Sequence, residues 1–249
     1  TDSGASLALS PDEKTLYATG VRACAHAAVK PGAVGACFAC VHGGETWDHT
    51  APTRAVYRFR WGDARAAAFG KDVSFQEPMS VATDRDGNVY VADLADDRIV
   101  VLKPGGDFLK SFKVGKPQRV EVHKRTGAIY VLAGDKKLEI IKLAPDGTEA
   151  ARQALPIGAS TIPIRRPIMA LDDSAEPAVL WFNGPLFRVE DRGQFFSAPV
   201  CVIPAAPREE PGSIGAVMDL TLDRDRGLLY VNNYWRYDTA GGTWEKIKT

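Results

Sequence analysis

A fivefold repeat of short strand-like runs is the feature that most constrains the fold of this chain. Its best-formed copy spans residues 77–115, "EPMSVATDRDGNVYVADLADDRIVVLKPGGDFLKSFKVG". In it, Asp86, Gly87 and Asn88 form a turn signal, with Gly87 able to take a positive φ, and "NVYVAD" alternates as a strand does. Four such runs recur with a period of roughly 40 residues, which is typical of propeller blades. The repeat predicts an all-β fold, a β-propeller of four-stranded antiparallel blades.

Five copies are visible in the sequence. The other four span residues 6–20 with 55–61, 116–155, 166–203 and 216–249. A β-sandwich or barrel also has evenly spaced short strands, but the G-x-x-Y-V pattern shared by the second and fifth copies favours blades. Helix is expected to account for well below a fifth of the chain. Second-strand residues of three copies are expected to pack between blades: Val89, Val91, Ile129, Val131, Leu229 and Val231.

Length and charge narrow the class of protein further. The chain has 249 residues, with 31 Lys plus Arg balanced by 31 Asp plus Glu. This length suits one all-β domain over residues 1–249, and the balanced charge favours neither nucleic acid nor an anionic membrane as a partner. No apolar run approaches the roughly 18–20 residues of a membrane span, so membrane insertion is not expected.

The second copy closely resembles an NHL repeat, and "LSPDEKTLYATG" in the first copy resembles the strand-turn-strand of related bacterial propellers. This resemblance implies blades around a central channel, in a family that includes lyases, lactonases and interaction modules. Such propellers usually have six blades. We therefore expect five blades here, and a sixth if the sequence is a fragment of a longer chain.

A Cys- and His-rich insertion at residues 21–53 interrupts the first blade between its second and third strands. It contains three of the four cysteines and three of the four histidines. Loops of this length inside a compact domain are usually functional or disordered, and the gathered cysteines favour an ordered cap over one face of the propeller. Trp47 in this insertion is expected to pack against the blades.

The cysteines admit three interpretations: disulfides, a structural zinc site, or free thiols. Disulfides among Cys24, Cys37, Cys40 and Cys201 would constrain the long insertion, with Cys201 as an anchor in the fourth blade or, alternatively, a buried small residue. A structural zinc site would instead use Cys24, His26, Cys37 and Cys40. Disulfide pairing predicts an extracellular or periplasmic location in a bacterium. "CFACVH" lacks the histidine of a covalent haem motif, which excludes that reading.

Polar residues near the predicted channel mouth form a candidate ligand face. They lie in blade-to-blade connections or in loops between second and third strands, where a rigid scaffold commonly carries function. Arginine forks and aromatic faces in this set suit a carboxylate, sugar or peptide. The candidates are Glu77, Arg119, Arg166, Asn183, Asn233, Trp235 and Arg236. Their neighbours in the same connections and loops are Gln118, Arg165, Asp93, Asp96, Asp97, Asp135, Asn232 and Tyr234.

Two classes of function follow from these features. The first is a secreted or periplasmic binding module for a protein, peptide or carbohydrate, with the insertion capping its ligand face. The second is a metal-dependent hydrolase or lyase at the channel mouth, because lactonases of the gluconolactonase type hold a divalent ion there. The sequence contains no nucleophile elbow, phosphate loop or H-E-x-x-H. His123, the one histidine outside the insertion, is expected to be exposed beside a turn. Beyond these two classes, a third alternative is that the propeller is part of a larger redox or surface assembly.

Overall fold

The computed structural model describes residues 6–19, 54–63, 66–156, 167–183, 186–203, 217, 219–232 and 235–247. Throughout these ranges the chain forms strands and turns, with no helix. No helix in this part of the chain could therefore cross a membrane. The predicted insertion at 21–53 lies wholly outside the described residues, so the cap stays a prediction.

Within the described ranges, twenty strands form five four-stranded sheets. Blade 1 contains β1 (Ser6–Leu9), β2 (Thr15–Thr19), β3 (Val56–Arg60) and β4 (Ala67–Phe69), and blade 2 contains β5 (Pro78–Thr83), β6 (Val89–Asp93), β7 (Arg98–Leu102) and β8 (Phe108–Lys113). Blade 3 contains β9 (Pro117–Val122), β10 (Ile129–Ala133), β11 (Glu139–Leu143) and β12 (Glu149–Ala154). Blade 4 contains β13 (Met169–Asp172), β14 (Val179–Phe182), β15 (Phe187–Glu190) and β16 (Val200–Cys201), and blade 5 contains β17 (Leu220–Asp223), β18 (Leu228–Val231), β19 (Trp235–Asp238) and β20 (Trp244–Lys246).

Each blade is an antiparallel meander of four consecutive strands, as the repeat predicts. The first strands of successive blades adjoin one another, β1 beside β5, β5 beside β9, β9 beside β13 and β13 beside β17. These first strands therefore line the channel of a five-bladed β-propeller. Among the strands that the structure describes, none is exchanged between blades.

The core consists of apolar layers between adjacent blades. Val89 and Val91 pack between blades 1 and 2, and Ile129 and Val131 pack between blades 2 and 3, all at 0% exposure. Leu229 and Val231 pack between blades 4 and 5. The predicted role of the second strands is thus confirmed, because their alternation presents one set of side chains to each neighbouring blade.

The first turn of blade 2 shows why the local sequence folds as predicted. Gly87 has φ 82°, the positive value expected at this turn. The Asp84 carboxylate accepts hydrogen bonds from the backbone N–H of Asp86 and of Asn88, each at 2.9 Å. The Tyr90 hydroxyl donates to the same carboxylate at 3.3 Å. One buried side chain therefore fixes both the turn and the strand that follows it.

Candidate functional site

Backbone hydrogen bonds define the two ends of the channel. At one end, here called the upper end, the blade-to-blade connections lie beside the loops between second and third strands. In blade 2, for example, the Leu94 N–H donates to the Glu77 carbonyl at 2.9 Å. At the opposite, lower end lie the turns between first and second strands. The residues predicted from sequence to form a ligand face belong to the upper end.

Glu77 lies at the upper end, where its backbone is held by a buried carboxylate. The Glu77 N–H donates to Asp93 Oδ1 at 2.7 Å, and the Gln76 N–H donates to the same oxygen at 3.1 Å. Asp93 is fully buried and forms an ion pair with Arg98 at 3.1 Å. Asp93 therefore links the connection that enters blade 2 to the end of the second strand of this blade. We call these contacts of Asp93 with Gln76, Glu77 and Arg98 the Asp93 clamp.

Asn183 and Asn232 make the corresponding contacts in blades 4 and 5. Asn183 Oδ1 accepts the Ile168 N–H at 2.7 Å, and its amide nitrogen donates to the Val217 carbonyl at 3.4 Å. Asn232 Oδ1 accepts the Asp219 N–H at 3.1 Å. Both amides thus bind the backbone that enters their own blade, and Asn183 is buried there.

Arg119 joins three blades at the channel wall. Its Nε donates to the Pro167 carbonyl of blade 4 at 2.7 Å, and its Nη1 donates to the Met79 carbonyl of blade 2 at 3.1 Å. Gln118 beside it donates to the Gly134 carbonyl. The guanidinium fork therefore satisfies backbone carbonyls of two neighbouring blades.

The remaining described candidates lie in the fifth blade. Trp235 packs against the apolar layer between blades 4 and 5, and Lys246 Nζ lies 6.0 Å from its ring centroid. Arg236 is paired with Glu245, its Nε lying 2.9 Å from the carboxylate. Arg166 and Asn233 lie outside the described residues. A ligand role for the upper-end set stays a prediction.

The cysteine predictions remain open for the same reason. Cys201 is exposed on the outer strand of blade 4, so the buried alternative for this residue is wrong. Its predicted partners Cys24, Cys37 and Cys40, and the zinc candidate His26, are outside the described residues. Among the residues that are described, no group of three or more His, Cys, Asp or Glu side chains could hold a metal ion.

Glu121 places a carboxylate in the channel at a position where the other blades carry small residues. In each blade one residue of the first strand pairs with an aromatic residue of the second, and in blade 3 this pair is Glu121 and Tyr130. The equivalent first-strand residues are Ala8, Ala82, Ala170 and Thr221. Blade 3 alone therefore directs a charged group from this position into the channel.

Charged residues from three successive blades surround Glu121 at the lower end. Arg224 lies 3.0 Å from Asp173, and the Lys124 N–H donates to Asp173 at 2.8 Å. The Lys124 ammonium donates to Thr83 Oγ1 at 3.0 Å. No residue in the described ranges forms a hydrogen bond or ion pair with the Glu121 carboxylate. This carboxylate is consequently available to a molecule in the channel.

Burial changes the acidity of two of these groups. It raises the pKa of the Glu121 carboxyl to about 7, despite the opposing effects of Arg224 and Lys124. It lowers the pKa of the Lys124 ammonium, with Arg224 acting in the same direction. Removal of water disfavours the charged form of each group. Glu121 therefore exists as both carboxylic acid and carboxylate near neutral pH.

His123 lies directly beside this cluster, and its predicted exposure is wrong. Its side chain is buried, and its Nδ1 accepts the Arg125 N–H at 3.2 Å. Nδ1 also lies 3.9 Å from Asp173. Because burial lowers the pKa of His123, the neutral imidazole is favoured. The residue acts as a turn cap at the position where blade 2 has Asp84.

The channel forms a cavity of about 890 Å³. It is lined by the first strands of all five blades and by turn residues at the lower end. Polar lining groups include Glu121, Lys124, Arg224, Ser80 and Thr83, whereas Leu7 and Leu9 give blade 1 an apolar wall. The cavity is large enough for a small molecule and presents hydrogen-bond donors and acceptors to it.

Comparison by sequence gives no match to a family model or to a curated protein. Comparison by structure gives many matches. A streptogramin B lyase superposes with a TM-score of 0.61 at 17% identity, over 100% of this chain and 70% of the lyase. A gluconolactonase from Xanthomonas campestris gives 0.60 at 14% identity, over 100% and 77%. A nidogen/laminin complex gives 0.55 at 14% identity, over 97% and 78%.

The chain is therefore a β-propeller, similar in fold to these lyase and gluconolactonase structures. At these identities the likeness shows the fold alone. The structural neighbours include both enzymes and a protein complex, so the fold is compatible with catalysis and with binding.

Proposed function

We propose that this protein is a binding module that takes a small polyhydroxylated ligand of the carbohydrate class into its channel. The observation that carries the proposal is Glu121, a charged side chain at a first-strand position that holds alanine or threonine in every other blade. A structural side chain would be expected to have a partner. Among the described residues, the Glu121 carboxylate forms no hydrogen bond or ion pair, and Arg224 and Lys124 act on it only through their charge.

The chemistry of the channel suits sugar hydroxyl groups. The Glu121 carboxylate can accept hydrogen bonds, while the Arg224 guanidinium and the Lys124 ammonium can donate them. Arg224 retains about a third of its exposure, 33%, although it is paired with Asp173. Because the cationic and anionic groups are interspersed, neither a strongly anionic nor a strongly cationic ligand is favoured.

The extracellular or periplasmic location and the disulfides are parts of the same proposal, and the insertion, which joins the second and third strands of blade 1, would cap the upper end of the channel, opposite the Glu121 end. They rest on the gathering of three cysteines in residues 21–53. A protein or peptide partner at the upper end is the less favoured alternative. There the described candidates Asn183, Arg119 and Arg236 already bind backbone groups or a neighbouring carboxylate.

Ligand-observed NMR with D-glucose and D-gluconate as probes tests the proposal. We expect at least one probe to bind, and Glu121→Ala to weaken its Kd by about tenfold or more, since a lost hydrogen bond to a charged group has this magnitude. Arg236→Ala, at the upper end, serves as the matched control and should leave Kd unchanged. Equal binding by the Glu121 variant, or no binding of either probe, would overturn the proposal.

A second candidate function is a lyase or hydrolase that uses Glu121 as a general acid or base. This second candidate is favoured by the pKa of the Glu121 carboxyl, about 7, which suits proton transfer at neutral pH. Glucono-δ-lactone hydrolysis, followed with and without chelator, distinguishes the two. Turnover that survives chelation and is lost in Glu121→Gln would support acid–base catalysis. Turnover lost with chelator would instead support a metal-dependent enzyme, and binding without turnover would favour the module.

A further inference from the structure

Three cationic side chains line the channel with Glu121, and each of them is bound elsewhere. Arg119 donates to backbone carbonyls of blades 2 and 4. The Lys124 ammonium donates to two oxygen atoms of blade 2. Arg224 lies 3.0 Å from Asp173 Oδ1 of blade 4. Within the described ranges the Glu121 carboxylate forms no hydrogen bond or ion pair with any of them, although the charges of all three act on it.

Asp173 binds two neighbouring blades with one carboxylate. Its Oδ1 pairs with Arg224 of blade 5, and its Oδ2 accepts the Lys124 N–H of blade 3 at 2.8 Å. The Asp173 side chain is 8% exposed, so its attraction for the Arg224 guanidinium is less screened by water than that of a surface pair. The position of this guanidinium is therefore set by blade 4.

The strand registers bring three charged residues together at the lower end. Lys124, Asp173 and Arg224 each lie three residues beyond the first-strand residue that pairs with an aromatic residue of the second strand, which in blade 3 is Glu121. Of the charged groups that act on Glu121, Arg224 has the largest effect. The carboxylates of Asp173 and Glu121 consequently compete for one guanidinium.

We propose that Asp173 is a positioning residue, which binds Arg224 and thereby keeps the Glu121 carboxylate unpaired and open to a ligand in the channel. The geometry favours Asp173 in this competition, because the Lys124 N–H already fixes its carboxylate. Glu121 is the weaker competitor, since burial raises its pKa to about 7 and part of it is uncharged at neutral pH. The effect on binding rests on the proposed function, whereas the pairing of Glu121 can be measured without a ligand.

The titration of Glu121, followed by 13C NMR of its side-chain carboxyl, tests the proposal. It is compared between wild type, Asp173→Asn, Arg224→Gln and the double variant, with the signal assigned by Glu121→Gln. Asparagine retains an oxygen for the Lys124 N–H but loses the charge that holds Arg224. A residue-specific signal is needed because His123 titrates beside this cluster, with its Nδ1 3.9 Å from Asp173.

We expect Asp173→Asn to lower the midpoint of the Glu121 titration by about 1–3 pH units, since the released Arg224 then pairs with Glu121. Part of this fall comes from the lost negative charge of Asp173, so the decisive comparison is the effect of Arg224→Gln. This substitution should raise the midpoint by about one pH unit more in the Asp173→Asn background than in wild type. Glu176→Gln, which removes a charge from the same turn as Asp173, is the matched control and should leave the midpoint unchanged.

Equal effects of Arg224→Gln in the two backgrounds would overturn the proposal, because the loss of Asp173 would then not have released Arg224. If Asp173→Asn does not fold, Arg224→Gln alone decides. A rise of the midpoint by less than about one pH unit supports the proposal, whereas a larger rise would show that Arg224 already pairs with Glu121 in the wild-type protein.

Ligand-observed NMR separates this proposal from the proposed function. At pH 7 we expect Asp173→Asn to weaken the Kd of the bound probe, D-glucose or D-gluconate, by about tenfold, and Asp173→Glu to restore most of the affinity. Absence of binding in wild type would overturn the proposed function alone and leave the titration to decide on Asp173. An unchanged Kd in Asp173→Asn, with the midpoint lowered, would overturn the role of Asp173 in binding.

Discussion

The Asp93 carboxylate binds the backbone of Glu77, with Oδ1 of the former 2.7 Å from the N–H of the latter. The sequence predicts Glu77 as a ligand residue, whereas in the structure its main chain is part of the Asp93 clamp of blade 2. Arg98 completes this clamp, because its guanidinium neutralises Asp93 and also donates to the Ser74 carbonyl at 2.7 Å. The upper end of the channel is thus stabilised by buried polar contacts.

Replacing Asp93 with alanine is expected to destabilise the protein by about 3–5 kcal/mol, because it leaves two backbone N–H groups and part of the Arg98 charge without a partner. Chemical denaturation measures this loss. Asp96→Ala is the matched control, since Asp96 contacts the same guanidinium at 2.8 Å from a partly exposed position. Asp96→Ala should lower the free energy of unfolding by less than about 1 kcal/mol. Equal losses in the two variants would refute the clamp.

Arg119→Ala should lower stability by about 2–3 kcal/mol, because two carbonyls in different blades lose a charged donor. Arg119→Lys should recover little of the stability that Arg119→Ala loses, since a single ammonium does not reproduce the guanidinium fork. Arg125→Ala in the same blade is the control, as its pair with Glu176 is exposed. A stable Arg119 variant that has lost ligand binding would instead favour the ligand role predicted from the sequence.

The blades could be predicted from the sequence because their signals are local. Alternation such as that of Val89 and Val91 specifies both the strand and the face that it buries. The roles of Asp93 and Asn183 could not be predicted in this way. Their backbone partners lie 15–17 residues earlier in the chain, in the connection that precedes the first strand of the same blade. The same residue types also serve as ligand contacts and as caps, so composition alone does not distinguish these roles.

Glu121 is not among the candidate residues that the sequence predicts, although the sequence contains a signal for it. In "VEVHK" it reads as an ordinary strand residue, alternating with the buried Val120 and Val122. Only alignment of the strand registers reveals that the other blades have alanine or threonine at this point. Aligning the repeats position by position and searching for charged exceptions would have identified it.

Glu121→Gln is expected to stabilise the protein by about 1–2 kcal/mol at pH 8 and to have little effect at pH 5. The folded-state pKa of about 7 lies above the unfolded value of about 4.5, so the ionised carboxylate disfavours folding above pH 7. As pH falls between these values, the wild-type protein binds a proton on folding and this penalty disappears. Tm measured at both pH values checks the sign, and a variant that is less stable than wild type at pH 8 would contradict it.

His123 should give the opposite dependence on pH. Its folded-state pKa is lowered, so the stability present above pH 6.5 is lost as pH falls from 6.5 through the folded value. The charged groups that face it are Asp173, Arg125, Asp191 and Glu176. We expect the Tm difference between wild type and His123→Asn to shrink from pH 7.5 to pH 5.5. A difference that widens over this range would show that Asp173 outweighs the effect of burial.

Cys201 provides a direct test of the predicted disulfides, because it lies exposed on the outer strand of blade 4. We expect peptide mapping of the unreduced protein, purified from an oxidising compartment, to link Cys201 to Cys24, Cys37 or Cys40. Thiol titration after denaturation without reductant should then find fewer than all four thiols free. Cys201→Ser should lower Tm in the unreduced protein and have no effect once reductant is present, since a cross-link acts mainly on the unfolded chain. Four free thiols in the wild-type protein would exclude the disulfides and leave either a zinc site or inert cysteines, and metal analysis of the same sample would distinguish these two.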